Sequence, residues 1–129
     1  MVASIISNGE WEDNYDDPPH PIPAIGALDV QGIKHTGGSD LSIIVASPLK
    51  ADEYSKGRLK AKIAAYLSYI RSAAYVAACG APTPRNTSIV VHLHRDSDSE
   101  MFDLLESYRP WIEEGLASLQ VQIIDARDS

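Results

Sequence analysis

Residues 87–124 read TSIVVHLHRDSDSEMFDLLESYRPWIEEGLASLQVQII, and this stretch decides the class of the fold. Its first part, Thr87 to His94, is rich in β-branched residues, which suit a pleated strand. Asp96-Ser-Asp-Ser then reads as a loop with a helix cap at Asp98 or Ser99. Met101, Leu104, Leu105, Tyr108, Ile112 and Leu116 follow at helical spacing and mark one buried helix face. Pro110 lies inside that run. Lacking an N–H and clashing with the preceding turn, it is expected to kink the helix or split it into two. Leu119 to Ile124 alternates again and closes the unit as a strand. Strand, helix and strand in this order make a parallel crossover.

Working toward the N-terminus, Asp40 to Ser47 (DLSIIVAS) reads as an apolar strand ended by Pro48. Thr36-Gly37-Gly38-Ser39 precedes it as a hairpin turn, since glycine supplies the positive φ that such turns need. Leu28 to Ile33 alternates as the hairpin's first strand. Between Pro48 and Thr87 the spacing predicts one long helix over Asp52 to Ala78, with Leu59, Ile63, Tyr66, Leu67 and Ile70 on its inner face. Asp52 or Ser55 caps its start, and Gly80 and Pro82 stop it.

The order β-β-α-β-α-β predicts an α+β two-layer sandwich, with a four-stranded mixed sheet and both helices on one face. Leu28, Val30, Leu41, Ile43, Val45, Ile89, Val91, Leu93, Leu119, Val121 and Ile123 are expected to face the helices. Gln31, Ile33, Ser42, Ile44, Val90, His92, His94, Gln120 and Gln122 are expected on the open face.

Residues 8–24 (NGEWEDNYDDPPHPIPA) have no helical or strand period. Their acids and prolines predict that 1–24 is a flexible acidic tail, with the domain at 25–124 and a polar tail at 125–129. Trp11 and Tyr15 stand out in that tail as anchors for the domain or a partner. With 129 residues, the chain is long enough for one core. A net charge of −7 argues against nucleic acid, which needs a basic footprint, and suits a basic protein partner. No apolar run reaches the ~20 residues of a membrane span. Met1 to Ser7 lacks the basic start of a secretory signal, and Cys79 is the sole cysteine, so a cytoplasmic location is expected.

Leu59-Lys-Ala-Lys-Ile-Ala-Ala-Tyr-Leu-Ser-Tyr-Ile70 resembles the Leu-x-x-Lys-Ile-x-x-Tyr-Leu-x-[Tyr/Phe]-Ile helix of a small uncharacterised bacterial α+β family. The resemblance spans roughly residues 28–124 and implies the same fold and a bacterial origin. It implies no activity. The chain departs from that pattern at Arg71 to Pro84, where the helix and loop are longer, and in its N-terminal tail.

The sharpest chemical pattern is His92-Leu-His-Arg-Asp-Ser-Asp-Ser-Glu100. Imidazoles two apart on a strand share a face, and carboxylates follow, so His92, His94, Asp96 and Asp98 are candidate ligands for zinc or another divalent ion. The run superficially looks like the His-x-His-x-Asp motif of metallo-β-lactamase-type hydrolases, but Ser97 stands where that motif has a further histidine. Lys50, Lys56, Arg58, Lys60 and Lys62 form a basic cluster expected to be a solvated helix face. Cys79, at a helix C-terminus, is in the wrong field for a reactive thiol. The expectation is therefore a non-enzymatic interaction domain with no cofactor, binding a protein partner or a second copy. Its contact residues would be Ile33, Ile44, Val90, His92, His94, Gln120 and Gln122, with Trp11 and Tyr15. The alternative is a metal-binding protein or hydrolytic enzyme using the histidine–aspartate segment.

Overall fold

Two glycines of positive φ, Gly37 (101°) and Gly38 (80°), turn the chain between the first two strands. A computed structural model describes residues 16–125. The hairpin pairs β1 (Val30–Ile33) with β2 (Ser39–Val45) in antiparallel register. Next come α1 (Glu53–Ile70), α2 (Ala73–Cys79) and β3 (Thr87–His94), which lies parallel to β2. α3 (Ser99–Glu114) then leads to β4 (Ser118–Ile124), parallel to β3. The four-stranded mixed sheet has the order β1-β2-β3-β4, an α+β fold. Among the described residues no helix is long and apolar enough to cross a membrane.

One parity of the central strands builds the core. Leu41, Ile43 and Val45 of β2, and Ile89, Val91 and Leu93 of β3, are wholly buried. They join Leu59, Ile63, Tyr66 and Ile70 of α1, Tyr75 of α2, and Met101, Leu105 and Ile112 of α3 in one cluster. Each such aliphatic side chain contributes about 1.5–3 kcal/mol through removal from water.

Four expectations need correction. The long helix is two. Arg71 leaves the helical region (ψ 0°), and Ser72 restarts the chain by accepting the Tyr75 N–H on its hydroxyl (3.2 Å). A capping serine inside an alanine-rich stretch is enough to begin a new helix. The new axis carries the Tyr75 hydroxyl to Ser39 Oγ (2.7 Å) and Thr87 Oγ1 (3.2 Å). In α3, by contrast, the split named as one of two outcomes at Pro110 does not occur: the helix runs from Ser99 to Glu114 as a single element.

The third correction is the parity of β1. Gln31 lies opposite Leu41, so it points to the core side, and Val30 lies opposite Ser42 on the open side. Gln31 accepts the Tyr69 hydroxyl (3.1 Å) and reaches Ser39 Oγ (3.4 Å). A one-residue difference in register exchanges the faces of a whole strand.

The fourth concerns the N-terminal segment. Residues 16–24 are packed on α1, with Ile22 in the core. The buried Arg58 donates from Nε to Ile22 O (2.8 Å), and the buried Lys62 donates to Ala24 O (2.7 Å). A segment carrying Pro18, Pro19, Pro21 and Pro23 has few N–H groups for a ladder, but its carbonyls remain good acceptors for cations. Arg58 and Lys62 therefore do not belong to a solvated helix face. Trp11 and Tyr15 lie outside the described residues.

Candidate functional site: the open sheet face

The parity that leaves the core defines a second surface, and the register arranges it in rows. Ser42, Val90 and Gln120 form one row, which Val30 extends across β1. Ile44, His92 and Gln122 form the next, and His94 with Ile124 a third. On the other side lie Asp40, Ser88 and Ser118. Of the expected contact residues, Ile44, Val90, His92, His94, Gln120 and Gln122 thus share this face.

Ile33 does not. It lies opposite Ser39, on the core parity, and is 59% exposed at the sheet's rim. Its place as the apolar group from β1 is taken by Val30, 52% exposed. Val90 and His94, in the central strand, are shaded by their neighbours and buried. Ile44, His92 and Ser42 are half-buried, and Gln120 and Gln122 are exposed. The result is an apolar centre with amides and hydroxyls around it. His92 is oriented by a hydrogen bond between Nε2 and Ser42 Oγ (3.2 Å).

Beneath the face, Tyr66 fixes β2 to α1. Its hydroxyl donates to Ser42 O (2.8 Å) and accepts the Asp29 N–H (3.0 Å). Burial raises its pKa well above the usual phenol range, so it stays a donor.

The histidine–aspartate segment does other work. His94 Nδ1 accepts the Asp96 N–H (3.0 Å). Ser97 Oγ accepts the Leu49 N–H (3.0 Å), and Asp98 donates its N–H to Leu49 O (3.0 Å). The Asp98 carboxylate accepts the Ala51 N–H (2.8 Å) and makes no side-chain bond to the helix it precedes. Arg95 donates from its backbone to Ile124 O (2.8 Å) and pairs with Asp125 (3.2 Å). The loop after β3 is therefore stapled to the loop after β2 and to the end of β4. Among the described residues no group of three or more histidines, cysteines and acids is arranged to hold a metal ion.

A groove of about 410 Å³ opens elsewhere, between α1 and α3. Leu67, Arg71, Trp111 and Glu114 line it, mixing an indole with opposite charges.

The N-terminal segment adds a titrating contact. His20 Nδ1 accepts the Ile22 N–H (2.9 Å), and Nε2 lies 2.9 Å from the buried Ser55 hydroxyl. The ring stands edge-on to Tyr54, with centroids 5.2 Å apart. Burial lowers the His20 pKa, and the Arg58 charge lowers it further. Protonation would set an N–H at Nδ1 against the Ile22 N–H. A histidine whose folded pKa lies below the unfolded value of about 6.5 binds more protons when unfolded. Its contribution is complete above that value and is lost as pH falls through the folded pKa. Urea denaturation of the wild type between neutral and mildly acidic pH should show this loss. His20→Gln should flatten the part of the curve just below 6.5. Identical profiles for the two proteins would refute the assignment.

The chain matches no family model, no curated protein and no solved structure.

Proposed function

We propose that the protein is a non-enzymatic interaction domain that binds a protein partner through the open sheet face. The observation that supports this most directly is the composition of the face on its β1–β2 side. There the exposed Val30 and the half-buried Ile44 border the Ser42–His92 pair. Apolar side chains give a partner area to bury, and the hydroxyl, imidazole and amides fix its orientation. The net charge of −7 favours a basic partner through electrostatic steering. The metal or hydrolase alternative draws less support. Ser97 and Asp98 are committed to the loop staple, and His94 to the Asp96 amide.

The test uses Val30→Lys/Ile44→Lys, which places two charges in the apolar part of the face, away from β4. Proteins retained from a lysate by the wild type would be purified and their affinity measured by calorimetry. The double variant is expected to weaken binding by about a hundredfold, as loss of central apolar contacts does. Equal affinity for wild type and variant would reject this surface.

A further inference from the structure

The edge of the sheet at β4 has the features of a strand that pairs with its own copy. The pairing of Arg95 N–H with Ile124 O sets the direction of the main-chain groups. Ile124, Gln122 and Gln120 turn theirs toward β3, so Leu119, Val121 and Ile123 turn theirs to the outer edge. Among the described residues no strand lies beyond β4. Its sequence, SLQVQII, has no charge, proline or glycine. These are the residues that usually blunt an edge against pairing. The other edge differs: β1 is shorter, and Lys34 follows it, paired with Asp40 (3.4 Å). On β4 one side-chain bond reaches the outer edge, from Arg109 Nη1 to Leu119 O (2.7 Å), and a carbonyl can accept a second.

The pattern is also its own complement. Antiparallel pairing about a two-fold axis at Val121 sets Val121 against Val121 of the second copy. Leu119 then meets Ile123, and Gln120 meets Gln122. Apolar residues fall against apolar ones on the helix side, and amides against amides on the open side. Opposed main-chain groups of Val121 and of the Leu119–Ile123 pairs exchange hydrogen bonds, which this parity requires. Ile123 is 66% exposed although it has core parity, because the described helices leave that end of β4 uncovered. A second copy would cover it.

We infer that β4 is a dimerisation edge, through which two copies join their sheets antiparallel, in the register centred on Val121. The two-fold axis stands perpendicular to the sheet, so both helix layers lie on one side and both open faces on the other. The inference stands apart from the proposed use of the open face, and the variants separate the two.

Sedimentation velocity from micromolar to millimolar protein should show a reversible dimer. Ile123→Lys, at an exposed position, should weaken it by about tenfold or more without changing the monomer's fold by circular dichroism. Val30→Lys/Ile44→Lys should leave it intact. The register is read from cysteines: Gln120→Cys mixed with Gln122→Cys should cross-link under mild oxidation, since such a non-hydrogen-bonded pair brings Cα atoms to about 4.5 Å. Either variant alone should cross-link far more slowly, and the buried Cys79 is common to all samples. A monomer across the whole range would overturn the inference. So would a dimer indifferent to Ile123→Lys, or a cross-linking pattern in which the mixture has no advantage.

Discussion

Gly38→Ala should destabilise the protein by about 4 kcal/mol or more, a large share of a small domain's stability. Gly38 has φ +80°, and a Cβ built there would stand 2.0 Å from Asn86 O. The left-handed conformation alone costs a residue with a side chain about 1–3 kcal/mol. The clash must be relieved as well, and the obstructing atom is backbone. Neither neighbour can yield freely. Gly38 donates its N–H to Cys79 O (2.7 Å), and its carbonyl accepts the Lys34 N–H (3.1 Å). One residue thus ties the hairpin, the end of α2 and the entry to β3. Gly37 is the control. Its φ is +101°, but its Cβ would meet Cys79 O at an ordinary 3.6 Å. Urea denaturation of both alanine variants should show Gly38→Ala clearly worse; equal losses would mean that the approach to Asn86 does not matter.

The hairpin glycines show where a sequence speaks clearly. A Gly-Gly pair between two alternating runs has few readings, so the turn and the strands around it were legible. The strand Thr87–His94 was legible too, because Thr87, Ile89, Val90 and Val91 cluster between a proline-rich loop and an acidic cap. The face of β1 was not. Leu28 to Ile33 alternates in either register, and the choice was made by Gln31, which found Tyr69 and Ser39 on the core side. Long-range hydrogen bonds of this kind leave no period in the sequence. The same limit hid the break at Arg71–Ser72, where serine had two permissible roles and the Ser39–Tyr75–Thr87 hydroxyls selected one. Of the face itself, Ser42, Ile44, Val90, His92, His94, Gln120 and Gln122 followed from alternation, while Val30 and Ile124 were not anticipated.

The basic residues of α1 carry the second prediction. Lys62 is 1% exposed and pairs with Asp29 (2.7 Å) while donating to Ala24 O. Asp29 also accepts the Ile44 N–H on its second oxygen (2.9 Å). Asp29→Ala would leave a buried ammonium with one carbonyl and remove the acceptor of the Ile44 amide, which water can replace. A loss of about 2–3 kcal/mol is expected, below that of a fully buried pair because the carboxylate is partly in solvent while the ammonium is not. Lys62→Met removes the charge itself and should cost less. In the double variant the two losses should fall well short of additive, with a coupling of about 1 kcal/mol or more by a double-mutant cycle. Strict additivity would mean that the pair acts as two independent groups. A lysine at helical spacing among other lysines reads as solvated, and only its approach to the Pro-rich segment shows otherwise. That contact makes residues 16–24 part of the domain.

The stability of this frame matters for the proposed function because it holds β2, which forms part of the open face, against α1. Tyr66 links both matters: it bonds Ser42 O on one side and the Asp29 amide on the other. The most direct test of the proposed binding surface is a methyl-detected NMR titration with a partner isolated by the wild-type protein. Adjacent residues on one strand then act as internal controls. If the open face is the binding surface, the Val30, Ile44, Val90 and Ile124 methyl signals shift on binding, while Ile43 and Val91, on the core side of the β2 and β3 strands, stay in place. Shifts confined to the helices, or equal shifts on both parities, would contradict it.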